Sequence, residues 1–254
     1  MIVRIEDHDR TRSTLEYVES IRSDLRWLGL EGDNASLGLP SPLTQGDDAP
    51  YLTAIDLLES RGGIYPCRCS RRDIAAMSDG VLEPRYPGTC RDAVVALTDT
   101  TARRLRLPGQ PVTFRDLRHG GQTQRPATQC GDLLIRDRHG HWTYHFAVVV
   151  DDIRHEVDLI IRGNDLLAST GRQLLLAAAL DRPTAPLFLH HPLVTHPDGT
   201  KLSKARGDAG LAALRAAGWS AAAVLGHAAF LGGLQADAAP LPAAELARLW
   251  ATRL

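Results

Sequence analysis

The chain has 254 residues, 44% of them apolar and 23% charged, with a formal net charge of −1. That suits one large globular domain or two small ones, and it excludes a globally basic nucleic-acid footprint, although a local patch would be enough for an RNA partner. No apolar run is long enough to span a bilayer, and the start Met1-Ile2-Val3-Arg4-Ile5-Glu6 lacks a signal-peptide layout, so a cytoplasmic protein with no membrane partner is expected.

Residues 2–5 alternate and predict a buried strand, with Glu6 at its C-terminal end. Ser13-Thr14-Leu15-Glu16 reads as a capping box. The helix it opens has the apolar stripe Leu15, Val18, Ile21, Leu25 and Leu28 and stops at Gly29. Residues 34–48 are a loop, and a second helix covers 52–60, ending at Gly62-Gly63. The stretch 67–91 is mostly irregular and holds Cys67, Cys69 and Cys90, whereas Cys130 stands apart as a small core residue. Residues 112–115, 133–136, 159–162 and 187–190 predict strands, His139-Gly140 a turn, and 142–150 a long strand-like apolar run. Ser169 or Thr170 caps a helix reaching about residue 180. Pro197-Asp198-Gly199 is a turn, and the alanine-rich tail from 211 onward is helical, interrupted by Pro240 and Pro242. Alternating strands and helices imply an α/β core with a helical C-terminus.

Several residues can carry chemistry. In Lys201-Leu202-Ser203-Lys204, two ammonium groups flank a serine on a loop that can close over a triphosphate. Positive charge placed there stabilises phosphoryl transfer, although a solvated basic loop fits the same four residues. Glu6 ends a strand, where ligands of open α/β sheets bind. Arg162 can fork a substrate carboxylate or pair structurally with Asp158 or Asp165. Tyr144 can hydrogen-bond a substrate or serve the core. Cys67 and Cys69 can share a metal with Cys90, and in a cytosolic chain clustered cysteines suggest metal before disulfide. Ordinary ligand chemistry points to Asp73 or Asp92 as a fourth ligand. His139 and His141 lie in a turn with the wrong spacing for a catalytic pair. His190, His191 and His196 flank the lysine loop, where they line a nucleotide site or hold structure.

Taken together, these segments resemble the class I aminoacyl-tRNA synthetases, and among them the glutamyl-tRNA synthetases. Val3-Arg4-Ile5-Glu6-Asp7-His8-Asp9-Arg10 is similar to their V-R-I-E-D-x-D element, and Asp24-Leu25-Arg26-Trp27-Leu28-Gly29-Leu30 to the helix end that follows. Tyr65-Pro66-Cys67-Arg68-Cys69-Ser70, Trp142-Thr143-Tyr144 through Val148-Val149-Val150-Asp151-Asp152, and Arg162-Gly163-Asn164-Asp165-Leu166-Leu167 follow in the family's order, and Lys201–Lys204 resembles the family's second signature. Tyr86-Pro87-Gly88-Thr89-Cys90, with Cys67 and Cys69, resembles the zinc site of the glutamyl-Q tRNA(Asp) synthetase branch, and the sequence ends soon after the lysine loop, as in that branch, which has no anticodon-binding domain.

The resemblance implies a Rossmann-like catalytic core over 1–64 and 131–209, an inserted zinc-containing acceptor-binding subdomain over 65–130, and a helical C-terminal segment over 210–254. It implies glutamate bound by Glu6, Tyr144 and Arg162, ATP bound by Lys201, Ser203 and Lys204 with Mg²⁺, catalysis by Lys201 and Lys204, and structural Zn²⁺ held by Cys67, Cys69, Tyr86 and Cys90. The activity implied is ATP-dependent formation of glutamyl-adenylate by a monomer and transfer to the queuosine base of tRNA(Asp). Family members begin with a strand, a turn bearing the first signature and a helix. This sequence starts after them, so it is expected to be truncated at its N-terminus, either by a start assigned too late, the favoured reading, or by a true truncation of the gene with a weak, unstable or inactive product. Two other readings stand beside this one: a fragment of a synthetase that charges the tRNA terminus, and an inactive, zinc-stabilised module that binds tRNA or a partner protein.

Overall fold

The computed structural model describes residues 2–6, 13–30, 32, 48–77, 84–195, 200 and 210–251. Lys201, Ser203 and Lys204 lie outside the described residues, as do Asp7 to Arg10 and His196. The chain divides into two compact units, Met1–Gln45 with His191–Leu254, and Gly46–His190. Among the described residues no helix is long and apolar enough to cross a membrane.

In the first unit, α1 (Leu15–Leu28) is capped by Thr14, whose side chain accepts from the Tyr17 N–H. The cap therefore falls one residue later than the predicted box, and Glu16 is too early in the helix to close one. Gly29 ends the helix at φ 73°, the left-handed position that glycine tolerates. Val18 and Leu28 are buried as expected, but Leu15 and Ile21 are exposed. Leu28 joins Val224, Leu225, Ala229 and Leu241 in a core with α7 (Leu211–Ala216), α8 (Ala221–Leu231) and α9 (Leu246–Ala251). Residues 2–5 do not form the predicted strand; Arg4 makes a single β-bridge, and Ile5 is buried.

The second unit holds two sheets. One has the order β1 (Ile64–Cys67), β2 (Ala102–Leu105), β5 (Leu133–Arg136), all antiparallel. The other has the order β4 (Gly120–Gln124), β3 (Val112–Asp116), β7 (Leu187–His191), β6 (Leu159–Gly163). There β3 and β4 form a hairpin, and β3 runs parallel to β7 with Asp116 opposite Phe188. Around the sheets pack α2 (Ala49–Ser60), α5 (Tyr144–Arg154) and α6 (Thr170–Ala179).

The run predicted as a strand at 142–150 is the helix α5. Trp142 makes one bridge to Arg136, Thr143 stands at the N-cap, and helical geometry begins at Tyr144. Phe146 through Asp152 are all buried. A helix covered on every side shows no apolar periodicity, and a β-branched run there mimics a strand. The core it fills takes Tyr51, Ile55 and Leu58 from α2, Leu105, Leu133 and Ile135 from the sheet, and Leu176 and Ala177 from α6. The Tyr51 hydroxyl donates to Asp151 Oδ2 at 2.8 Å, tying α2 to α5. Cys130 joins the same core.

Candidate functional site

Arg162 leaves the end of β6 beneath α6, and three side chains fix its guanidinium. Nε donates to His190 Nε2 at 2.9 Å, Nη2 donates to Thr170 Oγ1 at 2.8 Å, and Nη1 donates to Gln173 Oε1. Tyr144, at the start of α5, lies within hydrogen-bonding range of the same group. The structure thus brings together two of the three residues expected to hold glutamate. Burial pushes the Arg162 guanidinium below its ordinary range, while Tyr144, Asp152 and Asp116 act in the opposite direction. The third residue, Glu6, lies in the other unit, where its carboxylate accepts from Arg4 Nε at 2.9 Å.

Sequence reasoning missed what stands behind Arg162. His190 is fully buried, and its Nδ1 is 2.6 Å from Asp116 Oδ2. Asp116 Oδ1 accepts from the backbone N–H groups of Arg118 and His119. Burial alone would raise the Asp116 pKa, but these bonds and His190 hold it below the usual carboxylate range. Burial and the Arg162 charge keep His190 below its ordinary value against the pull of Asp116. The one signal available in the sequence was an acid closing the strand Val112–Asp116, four residues before Gly120. His191 is exposed and turns its Nδ1 to the Pro192 carbonyl, and His139 and His141 sit in an exposed turn around Asp137.

The cysteines converge at the far end of the first sheet. Cys67 ends β1, Cys69 precedes α3 (Arg71–Ala76), and Cys90 follows the turn from Tyr86. Their sulfurs all lie within 4.8 Å of one another. Cys69 Sγ and Cys90 Sγ are 3.6 Å apart, and Cys67 Sγ is 3.6 Å from Tyr86 Oη. A tetrahedral ion with Zn–S bonds of about 2.3 Å and a Zn–O bond of about 2.0 Å sets S···S edges near ~3.8 Å and S···O edges near ~3.5 Å. The donor set fits zinc on those edges.

Charge fits as well. Arg104 Nε donates to Cys67 Sγ at 3.4 Å, and its guanidinium lies 3.8 Å from the Tyr86 ring centroid. Without a cation the anions compete: burial first, then Cys90 and Cys67, push the Cys69 thiol up to about 12. Burial also raises Tyr86. Cys90 falls below its ordinary value, because hydrogen bonds from the Arg68 backbone, Cys69, Cys67 and Tyr86 outweigh burial. The two carboxylates that ordinary ligand chemistry favoured are engaged elsewhere. Asp73 closes a capping box with Ser70, and Asp92, 86% exposed, pairs with Arg106.

A buried aspartate braces the loop. Asp132 accepts from the Tyr65 hydroxyl at 2.6 Å, Arg91 Nη1 at 2.5 Å and the Leu107 N–H at 2.8 Å. Next to it Gly131, at φ +70°, would place a Cβ 2.1 Å from the Tyr86 carbonyl oxygen. Gly131→Ala is expected to cost about 2–4 kcal/mol, from left-handed strain together with overpacking, read as a lowered thermal midpoint.

A family model described as tRNA synthetases class I (E and Q), catalytic domain, matches residues 1–235. The chain belongs to this family. It is 41% identical to a glutamyl-Q tRNA(Asp) synthetase of Symbiobacterium thermophilum, over 96% of this chain and 80% of that protein. It is 36% identical to one of Nitratidesulfovibrio vulgaris, over 94% and 78%. It is 37% identical to glutamate–tRNA ligase 2 of Alkalilimnicola ehrlichii, over 91% of this chain and 51% of that one. The crystal structure of a glutamate tRNA ligase from Elizabethkingia meningosepticum in complex with its amino acid matches with a TM-score of 0.67 at 26% identity. That match covers 82% of this chain and 45% of the ligase. The mixed α/β sheets are those of a class I tRNA synthetase catalytic domain, with a Rossmann-like core.

Proposed function

We propose that this chain uses ATP to activate L-glutamate as glutamyl-adenylate and transfers the glutamyl group to tRNA, with the queuosine base of tRNA(Asp) as acceptor. The observation that carries the reading is the guanidinium of Arg162, clamped on three sides beside Tyr144, in a chain 41% identical to a glutamyl-Q tRNA(Asp) synthetase. Arg162 grips the side-chain carboxylate of glutamate. An attacking carboxylate held in a cationic fork would lose nucleophilicity, so the α-carboxylate stays free for the phosphorus. Tyr144 hydrogen-bonds the same substrate, and Glu6 receives its ammonium group.

The α-carboxylate oxygen attacks the α-phosphorus of ATP in line, and pyrophosphate departs. Lys201 and Lys204 stabilise the charge gathering on the leaving group, Ser203 binds the phosphates, and Mg²⁺ supplies further charge neutralisation when bound. A hydroxyl of the acceptor then attacks the acyl carbon and AMP leaves. Residues 65–130 form the inserted acceptor-binding subdomain, whose loops are held by zinc on Cys67, Cys69, Tyr86 and Cys90. Lys204→Ala is expected to lower glutamate-dependent ATP–pyrophosphate exchange by at least about 100-fold, with an unchanged circular-dichroism melt. Retained exchange would refute the role of the lysine loop. Radiolabelled glutamate offered with queuosine-containing tRNA(Asp) and with tRNA(Glu) tests the acceptor. Label on the former supports the reading, and label on the terminus of the latter replaces it with ordinary tRNA charging.

A further inference from the structure

The arginine that grips glutamate in the proposed reaction is itself gripped from behind. Arginine Nε carries a hydrogen and can only donate. At 2.9 Å from it, His190 Nε2 must therefore accept, so this nitrogen is bare. The imidazole proton then resides on Nδ1, which faces Asp116 Oδ2 at 2.6 Å. Asp116 is in turn oriented by three backbone N–H groups: Arg118 and His119 donate to Oδ1 at 3.0 and 2.8 Å, and His190 donates to Oδ2 at 3.1 Å. The polarity of the chain is thus set from the β3 terminus outward, from backbone amides to carboxylate, imidazole and guanidinium. Gln173 Oε1 and Thr170 Oγ1 also accept from Arg162, so all three neighbours present acceptors.

We infer that Asp116, acting through His190, is a positioning residue that fixes the imidazole tautomer and thereby aims the Arg162 guanidinium at the substrate carboxylate. The inference rests on the proposed role of Arg162. The arrangement has a physical logic. A carboxylate bonded directly to Arg162 would compete with the substrate carboxylate for the same N–H groups. A neutral imidazole in between offers an acceptor without that competition, and the Asp116 charge still favours the cation from one ring away. A merely structural buried pair would need no defined tautomer at Nε2.

The Asp116→Asn change separates these ideas. Two backbone N–H groups, of Arg118 and His119, against the one of His190 keep the amide oxygen on the Oδ1 side, so the amide NH₂ faces His190 Nδ1. The ring must then carry its proton on Nε2, donor against donor with Arg162 Nε. The expected result is a glutamate KM raised about 10- to 100-fold, as for outer partners of a ligand-holding group, with the KM for ATP within about twofold. His190→Gln keeps an acceptor toward Arg162 and has no tautomer to set, so adding Asp116→Asn to it should change the glutamate KM by less than about twofold. His190→Phe, which has no acceptor, should behave like Asp116→Asn. Nitrogen-15 histidine NMR of the full wild-type chain reads the tautomer without any substrate, and it decides the question even if Asp116→Asn fails to fold: Nδ1 protonated and Nε2 bare is the result expected. Nε2 protonated in the wild type, or equal penalties for Asp116→Asn in both backgrounds, would overturn the relay. An Arg162→Ala variant with an unchanged glutamate KM would instead overturn the reading of Arg162 itself. A damaged Arg162→Ala with a silent Asp116→Asn would overturn the relay alone.

Discussion

Replacing Arg162 by alanine is expected to raise the glutamate KM by about 30-fold to several thousandfold in ATP–pyrophosphate exchange, with the KM for ATP little changed. Truncating one partner of a buried, hydrogen-bonded charge pair costs about 2–5 kcal/mol, and about 1.4 kcal/mol is a tenfold change. The guanidinium is held by His190, Thr170 and Gln173 before any substrate arrives, so little ordering entropy is lost on binding. Arg162→Lys is expected to fall between wild type and alanine. A lysine keeps the charge but lacks the planar fork, so it cannot satisfy three fixed acceptors and a carboxylate together. Selectivity follows the same logic: glutamine, with no charge at its side-chain end, should compete with glutamate far better in the alanine variant than in the wild type. An alanine variant with wild-type glutamate KM would remove Arg162 from the site.

Loss of metal from the sulfur cluster is expected to be the largest stability effect in the chain. The purified protein should carry about one zinc per chain, and Cys67→Ser or strong chelation should release it. An ion present at about a thousand times its dissociation constant stabilises the folded state by about 4 kcal/mol, which for a chain of this size corresponds to about 8–16 °C in thermal midpoint. Metal retention should weaken as pH falls, because Cys69 and Tyr86, whose pKa values burial raises in the metal-free cluster, must lose their protons to bind. Tyr86→Phe should keep the three sulfurs and bind zinc less tightly. It also removes the oxygen that accepts from the Cys90 N–H at 2.8 Å, so part of its effect is loop disorder. Cys130→Ser should leave the zinc content unchanged, because Cys130 packs in the other core of the unit. Metal analysis with thermal melts checks all of these, and a wild-type chain without bound metal would contradict them.

Much of the fold was legible where sequence period and turn residues agreed. The strands β3, β5, β6 and β7 fall where apolar runs meet Gly, Asp or Pro, and α1 and α6 where an amphipathic stripe begins at a hydroxyl residue. Three strands were missed for physical reasons. In β2, Ala-Arg-Arg-Leu looks solvated, yet Arg104 lies buried over the Tyr86 ring. In β4, Gly-Gly-Gln-Thr-Gln has no apolar residue, and Gln124 is instead locked by the Leu167 carbonyl and the Gly171 N–H. In β1 a proline breaks the expected pattern. The helix α5 reads as a strand because Phe146 through Asp152 are all buried and leave no helical period in the sequence. Of the candidate site, Arg162 with Tyr144, and Cys67, Cys69 and Cys90 with Tyr86, come together as expected. Asp116 and His190 were not paired in advance, because 74 residues separate them and only the parallel β3–β7 register brings them side by side.

The central claim is glutamate activation, and exchange of radiolabelled pyrophosphate into ATP measures it most directly. The assay is run with glutamate or glutamine, with and without tRNA, on this chain and on a version extended upstream. The expected result is exchange that depends on glutamate, is not supported by glutamine, and in Arg162→Ala needs far more glutamate to reach the same rate. Absence of glutamate-dependent exchange from both versions would contradict it and leave the chain as a tRNA- or partner-binding module.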